Sequence, residues 1–404
     1  MLARGSDPRL VRWRTATLAG GSKRSLGTTL PAALLEDWMR ENYFSAEVDI
    51  GSSGVQEYSF AELRSILDIP VEAVDQIIFY DSPTLGSPPL RRAIASRYAD
   101  GNADCVIVTH GSSEAIFLVM HALLSEGDEV VVANPCYQQL ASTASSLGCR
   151  LKLWTLRPEQ GFQPNIDDAR RLIGPRTRMV IVNFPHNPTG VTLDRTQQRE
   201  LIDLCAAVGA YLVWDAAFAE LVYNMPLLND PVTLYERAIS LGTLSKAYGL
   251  PGLRIGWCIA TPEVIELFVR LRDYTTLHLS PLVEMVAQRA VEFGDRLVAP
   301  RLAQASRNRS FLADWVVEQN GLVQWFEPQG GVTAFLHLPG TPDVQLCQTL
   351  IQKEKVLLVP GTCFGCPDHV RVGFGKSSGS FQRGLESLSS LLRSQHFTEE
   401  TPNV

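Results

Sequence analysis

Between residues 105 and 260 short apolar runs alternate with amphipathic stretches, and this alternation restricts the fold more than any other feature of the chain. "CVIVTHG" precedes "SSEAIFLVMHALL"; "DEVVVANP" and "CRLKLWTL" follow, and "TRMVIVNFP" leads into "DRTQQRELIDLCAAVG". "AYLVWDAAF", "AISLGTL" and "RIGWCIA" continue the series. The runs are continuously rich in Val, Ile and Leu, as strands covered on both faces require. Such strands, separated by helices, specify an α/β fold around a largely parallel sheet. Gly209 stands where a left-handed residue commonly ends a helix. Beyond residue 290 the order changes to a long helix over 300–319, then "GGVTAFLHL", "DVQLCQTLIQKE", "VLLVP", "VRVGFG" and a closing helix. That order predicts a second, smaller α+β domain. "LPAALLEDWMRENYF" and "PPLRRAIASRYA" carry apolar residues at helical spacing and predict two further helices.

Composition excludes several classes of function. A formal net charge of −7 argues against a nucleic-acid partner. No apolar run approaches the ~20 residues that cross a bilayer, so no membrane partner is expected. The eight cysteines are scattered, several within apolar stretches, which suits reduced thiols in a cytoplasmic protein. Cys363 and Cys366 have the spacing of half a metal site, but nothing completes it, and no metal is expected. Residues 1–28 are Arg-rich and almost free of acids and read as a disordered extension; residues 396–404 read as a tail.

Ligands of α/β sheets bind beyond the carboxyl ends of the strands, and several chemistry-bearing residues fall there. Lys246, in "GTLSKAYGLPGLRIG", lies between runs that read as buried, an uncommon place for an ammonium group. "HGSSEA" joins a strand to a helix through Gly111, leaving the Ser112 and Ser113 amides at a helix N-terminus, where a phosphate binds well. "NFPHNPTG" offers Asn187 from a Pro-rich turn. "YLVWDAAF" buries Asp215, an ionised carboxylate that is costly unless it meets a cation. "VRVGFG" sets Arg371 in an apolar strand, where it too needs a partner. Pyridoxal phosphate needs these groups together: a lysine for its aldehyde, a carboxylate for its ring nitrogen, an arginine and other donors for its phosphate, and a flat stacking partner.

The series "HGSSEA", "NPTG", "WDAAF", "SKAYGLPGLRIG" and "VRVGF" resembles the fold-type I pyridoxal-phosphate enzymes of the aspartate aminotransferase superfamily, and the resemblance covers residues 30–395. It implies a large, mostly parallel seven-stranded sheet domain over residues 76–290 and a smaller α+β domain over 291–395, joined by the N-terminal segment 29–75. It also implies pyridoxal phosphate in a Schiff base on Lys246, which then moves protons at the substrate Cα. Asp215 is implied to pair with the ring nitrogen. Ser112, Ser113, Thr243, Ser245 and Arg254 are implied to hold the phosphate, Tyr137 to stack on the ring, Asn187 to donate to its phenolic oxygen, and Arg371 to clamp the carboxylate of an amino acid substrate. A homodimer with the active site at its interface is expected, with "YDSPTLG" reaching the partner's phosphate.

The superfamily's aminotransferases usually carry Tyr three residues after the aspartate, where this chain has Phe218. Longer stretches, among them "LEDWMRENYFSAEVDIGSSGVQEYSFAELR", "LGTLSKAYGLPGLRIGWC", "LSPLVE" and "GGVTAF", are similar to the capreomycidine synthase-like hydroxyarginine cyclases, in which that Phe also occurs. This resemblance implies dehydration of 3-hydroxy-L-arginine and intramolecular addition of its guanidine to give L-capreomycidine. Cyclodehydration of 4-hydroxy-L-arginine to L-enduracididine is the alternative, followed by an aminotransferase acting on an arginine-like amino acid. A cofactor-binding sensor without turnover is disfavoured by the intact lysine. Glu41, Asp81 and Glu284 are the expected acceptors for a guanidinium, with Ser52, Ser53 and His278 as further candidates for the pocket. His110 and His186 are expected to be structural.

Overall fold

The computed structural model describes residues 30–396; the expected extension 1–28 and residues 397–404 of the expected tail lie outside the described residues. The first helix, α1 (Leu34–Asn42), buries Leu35 and Trp38 on one face and leads to the short strand β1 (Val48–Asp49). The main sheet follows: β2 (Val106–Thr109), β3 (Glu129–Asn134), β4 (Arg150–Thr155), β5 (Thr177–Asn183), β6 (Tyr211–Asp215), β7 (Ala238–Thr243) and β8 (Gly256–Ile259). Its seven strands lie in the order β2-β8-β7-β6-β5-β3-β4. Neighbours from β7 to β4 pair in parallel, whereas β8 runs antiparallel to both β7 and β2.

The continuous apolar runs have a direct structural cause. Alternate residues of each central strand point to opposite faces, and both faces are buried. Ile107, Val130, Met179, Ile181, Val213 and Ile239 pack on one side with helix α2 (Gly111–Leu123) and the helix Pro262–Arg272. Val106, Val108, Val131, Val180, Leu212 and Trp214 pack on the other. The helix Arg195–Val208 closes as expected, with a capping box from Asp194 and Gln197 at its start and Gly209 at φ +69° after its end.

The helix expected over 300–319 begins earlier, at Gly294, and passes through Pro300 to Glu318. It precedes β9 (Thr333–His337), β10 (Val356–Leu357), β11 (Val359–Pro360) and β12 (His369–Gly373), and the chain closes with the helix Ser378–His396. β11, β12 and β9 form an antiparallel sheet, while β10 pairs with β1 in parallel. The run "VLLVP" is therefore two strands, and its first half ties the N-terminal segment to the C-terminal part of the chain. That pairing brings the loop after β1 against β12, so Ser52, Ser53 and Arg371 reach one cavity.

Candidate active site

The cavity, about 980 Å³, opens beyond the carboxyl ends of β5, β6 and β7 and beside β12. Ser52, Ser53, Ser112, Ser113, Tyr137, Asn187, Asp215, Phe218, Thr243, Ser245, Lys246, Arg254 and Arg371 all line it. Every residue that the resemblance assigns to the cofactor or to the substrate carboxylate thus lies in one place, with Ser52 and Ser53. Asn183 was missed; it ends β5, donates to the Asp215 carbonyl at 2.9 Å and accepts the Asn187 backbone N–H at 2.9 Å. Asn183 was in principle legible, because it stands beside Asp215 in the parallel register of β5 and β6.

Lys246 follows β7 and turns its amine into the cavity, donating to Ser53 Oγ at 2.8 Å, with Nζ 5.9 Å from the centroid of the Phe218 ring. Burial, and then the charge of Arg371, push the amine down to about 8, against the raising effect of Glu36 and Asp215. Asp215 is buried at the end of β6, and its Oδ1 accepts the Ala217 N–H at 3.0 Å. Burial pushes its carboxyl up to about 6, although the Ala217 hydrogen bond and Lys246 pull the other way. Arg371 is also buried, donating through Nη1 to Asn187 Oδ1 at 3.1 Å and through Nη2 to the Gly51 carbonyl at 2.8 Å. Its Nε has no partner among the described residues, and burial lowers the guanidinium to about 10. A guanidinium held in this way still seeks an anion.

The opposite end of the cavity is built for a second anion. α2 starts at Gly111, so the amides of its first turn are free of helical partners and its dipole attracts negative charge. The Thr243 hydroxyl donates to Ser245 Oγ at 3.0 Å, and Arg254 Nη1 approaches the same oxygen at 3.4 Å. Gly111 adopts φ +76°, and a Cβ there would meet Arg254 Nη2 at 2.5 Å. A Cβ on Gly256 would stand 2.6 Å from the Ser112 backbone nitrogen. Both glycines therefore let backbone and guanidinium converge on a small, donor-lined cup. Lysine, buried carboxylate, aromatic residues and anion cup together fit pyridoxal phosphate.

Four sequence expectations need correction. Glu41 is exposed on α1 and does not line the cavity, because the helix turns its Leu35 and Trp38 face inward. Asp81 is exposed and pairs with His278 at 2.9 Å, so neither residue reaches the cavity. Glu284 is buried, but its Oε1 accepts the Ser87 N–H at 2.6 Å, which makes it a support for the following helix. The two expected structural histidines behave differently from one another. His186 is buried between Thr189 Oγ1 and the Pro135 carbonyl, each at 2.7 Å, and burial lowers it to about 4. His110 is half-buried, with Nε2 3.4 Å from the His278 carbonyl. The carboxylates that do line the cavity besides Asp215 are Glu36 and Glu57, neither of which composition or spacing singles out. Cys363 and Cys366 are free thiols, held near 11 by burial, and no metal-binding cluster exists among the described residues.

The fold and this site define an enzyme of the aspartate aminotransferase type. The profile of the family "Aminotransferase class I and II" matches residues 72–388, and the chain belongs to that family. It is 48% identical over 363 residues to capreomycidine synthase of Streptomyces vinaceus, covering 89% of this chain and 93% of the relative. Among solved structures, the PLP-dependent cyclase OrfR superimposes with a TM-score of 0.88 at 43% identity, covering 93% of this chain and 100% of that one. A PLP-dependent aminotransferase from Streptococcus suis 89-1591 superimposes with a TM-score of 0.86 at 30% identity, covering 91% and 98%.

Proposed function

We propose that this chain is a pyridoxal-phosphate-dependent cyclase that converts 3-hydroxy-L-arginine to L-capreomycidine in specialised metabolism. The observation that carries this reading is the 48% identity to capreomycidine synthase over 89% of the chain, joined to a site that contains every group the cofactor needs. Bound pyridoxal phosphate supplies an electron sink that makes the substrate Cα–H acidic and allows the β-hydroxyl to depart.

The protein's own residues do the rest. Asp215 would hold the ring nitrogen, the cup of Ser112, Ser113, Thr243, Ser245 and Arg254 would hold the phosphate, and Tyr137, Asn187 and Phe218 would contact the ring. Arg371 binds the substrate carboxylate through its fork, with Asn187 beside it. Its grip sets Cα next to the Lys246 amine, which burial lowers to about 8, so that a substantial share is neutral near that pH and able to take the Cα proton. The hydroxyl leaves with a proton as water, a guanidine nitrogen closes on Cβ, and Lys246 returns a proton to Cα. In balance, the Cβ–O bond and one guanidine N–H bond break, one N–Cβ bond forms, and one water is lost, the Cα proton being removed and returned. Closure is intramolecular, so holding the side chain folded in the cavity replaces a bimolecular encounter.

The active unit in this reading is a homodimer. The exposed Ile78, Phe79 and Tyr80, at 72%, 75% and 62%, and Tyr274, at 91%, support an apolar face that a second copy covers. We place the protein in the cytoplasm, a reading supported by the free cysteines; no helix among the described residues is long and apolar enough to cross a membrane.

Incubating the cofactor-loaded protein separately with 3-hydroxy- and 4-hydroxy-L-arginine tests the reaction. A product one water lighter, with a six-membered guanidine ring by NMR and from the 3-hydroxy substrate only, is expected. A five-membered ring from the 4-hydroxy substrate only would reassign the protein to enduracididine formation. Retention of both waters, with glutamate formed from α-ketoglutarate, would make it an aminotransferase.

A further inference from the structure

Among the described residues three carboxylates line the cavity, and two of them already have a role. Asp215, at the end of β6, accepts the Ala217 N–H and is the carboxylate that the proposed function assigns to the cofactor's ring nitrogen. Glu57 forms an ion pair with Lys376, whose side chain is largely buried beside it. Glu36 differs: it accepts a hydrogen bond from the Tyr137 hydroxyl at 2.8 Å, and no cation among the described residues pairs with it.

Its position is fixed by more than that contact. Trp38 Nε1 donates to the Leu358 carbonyl at 2.9 Å, anchoring α1 from below. The Leu34 N–H donates to Gln138 Oε1 at 2.9 Å and Gln138 Nε2 donates to the Ala32 carbonyl at 2.5 Å, strapping the start of α1 to the residue after Tyr137. Glu36, in the first turn of α1, is thus held at the cavity wall by the same segment that supplies the stacking tyrosine. Its charge acts on both Lys246 and Arg371, so it faces the reacting centre.

We infer that Glu36 is the residue that receives the substrate's guanidinium and so selects arginine-type side chains. The assignment rests on the hydroxyarginine reading above. With the substrate carboxylate on Arg371 and Cα at Lys246, the side chain runs along the wall toward α1. A guanidinium arriving there meets the lining carboxylate that, among the described residues, is neither paired with a cation nor assigned to the cofactor, and meets it with Tyr137 Oη already occupying one lone pair. The remaining lone pairs suit a planar donor fork.

The test is a comparison of L-arginine with L-citrulline, which has the same shape and a neutral urea, binding to the cofactor-loaded protein by calorimetry. A hydrogen bond to a charged group contributes roughly 1.5–3 kcal/mol, so the wild type is expected to prefer arginine by about 10- to 100-fold. Glu36→Gln should remove that preference while leaving citrulline affinity nearly unchanged, Glu36→Asp should restore part of it, and Glu57→Gln should leave it intact. A preference that survives Glu36→Gln, that is lost instead in Glu57→Gln, or that is absent from the wild type would overturn the assignment. Product analysis runs separately: if Glu36→Gln abolishes discrimination but the wild type forms no cyclic product from hydroxyarginine, the receptor stands and the cyclisation reading falls.

Discussion

Replacing Asp215 with asparagine should stabilise the protein without its cofactor and weaken it with the cofactor. In the cofactor-free chain the Asp215 carboxyl is raised from an ordinary 3.8 to about 6, chiefly by burial. The folded state therefore holds the proton more tightly than the unfolded chain, and folding grows less favourable as pH rises through that window. At about 1.36 kcal/mol per unit, the penalty above pH 7 comes to ~3 kcal/mol; roughly half of it remains at pH 5, and none below 3.8. Asparagine keeps an oxygen for the Ala217 N–H, which Asp215 now accepts at 3.0 Å, and carries no charge to desolvate. Urea unfolding of the cofactor-free proteins should show Asp215→Asn more stable by about 1–3 kcal/mol at pH 7.5 and by about half as much at pH 5. Saturating pyridoxal phosphate should reverse the order, because the wild-type carboxylate then faces a protonated ring nitrogen. A cofactor-free variant no more stable than the wild type at pH 7.5, or a gain that ignores pH, would refute the reasoning.

Three further outcomes are expected. Because burial lowers the Lys246 amine to about 8, the rate at which the cofactor-free protein captures pyridoxal phosphate should rise with pH and level off above that value; stopped-flow absorbance reads the midpoint, and one near the ordinary 10.5 would remove burial as its cause. Gly111→Ala places a methyl 2.5 Å from Arg254 Nη2 at a φ of +76°, so affinity for pyridoxal phosphate should fall by about tenfold or more while capture of pyridoxal, which lacks the phosphate, changes little. Phe218→Tyr should add a donor near the cofactor's phenolic oxygen and lower the midpoint of the bound cofactor's absorbance titration; an unchanged midpoint would deprive Phe218 of any electronic role.

The sheet and the cofactor site were legible in the sequence for the same reason. A strand buried on both faces must be apolar throughout, so any Lys, Asp or Arg within it or just beyond it stands out against the run, as Arg371, Asp215 and Lys246 do. The cavity's other carboxylates, Glu36 and Glu57, were not legible, because they sit on α1 and on a loop, where an acid is unremarkable. Glu36 and Glu41 share one helix, and only the anchoring of Leu35 and Trp38 decides that the first lines the cavity and the second does not. Glu284 misled in the opposite sense: it stands in a stretch shared with the cyclases, yet it serves the Ser87 amide. The division of "VLLVP" between two sheets was hidden as well, since Val356 pairs with Val48, far upstream in sequence, while Val359 pairs with Arg371 close behind it.

The protonation of the cofactor-free site explains why these groups are found together. Burial holds Lys246 toward its neutral form, holds Asp215 toward its protonated form and leaves an Arg371 nitrogen without an acceptor. Each group alone is destabilising, and no pair among them relieves all three, because Lys246 turns to Ser53, Asp215 to a backbone amide and Arg371 to carbonyl oxygens. A ligand with an aldehyde beside Lys246, a basic ring nitrogen beside Asp215 and an amino acid carboxylate beside Arg371 relieves them at once. The desolvation already imposed by folding need not be imposed again on binding, which is the sense in which such a site is preorganised. It follows that removing Lys246 or Arg371 singly should raise the stability of the cofactor-free protein, as Asp215→Asn does, even as it disables the loaded one. Unfolding curves in which all three variants lose stability without cofactor would show instead that the three groups support one another, and the preorganisation argument would fail.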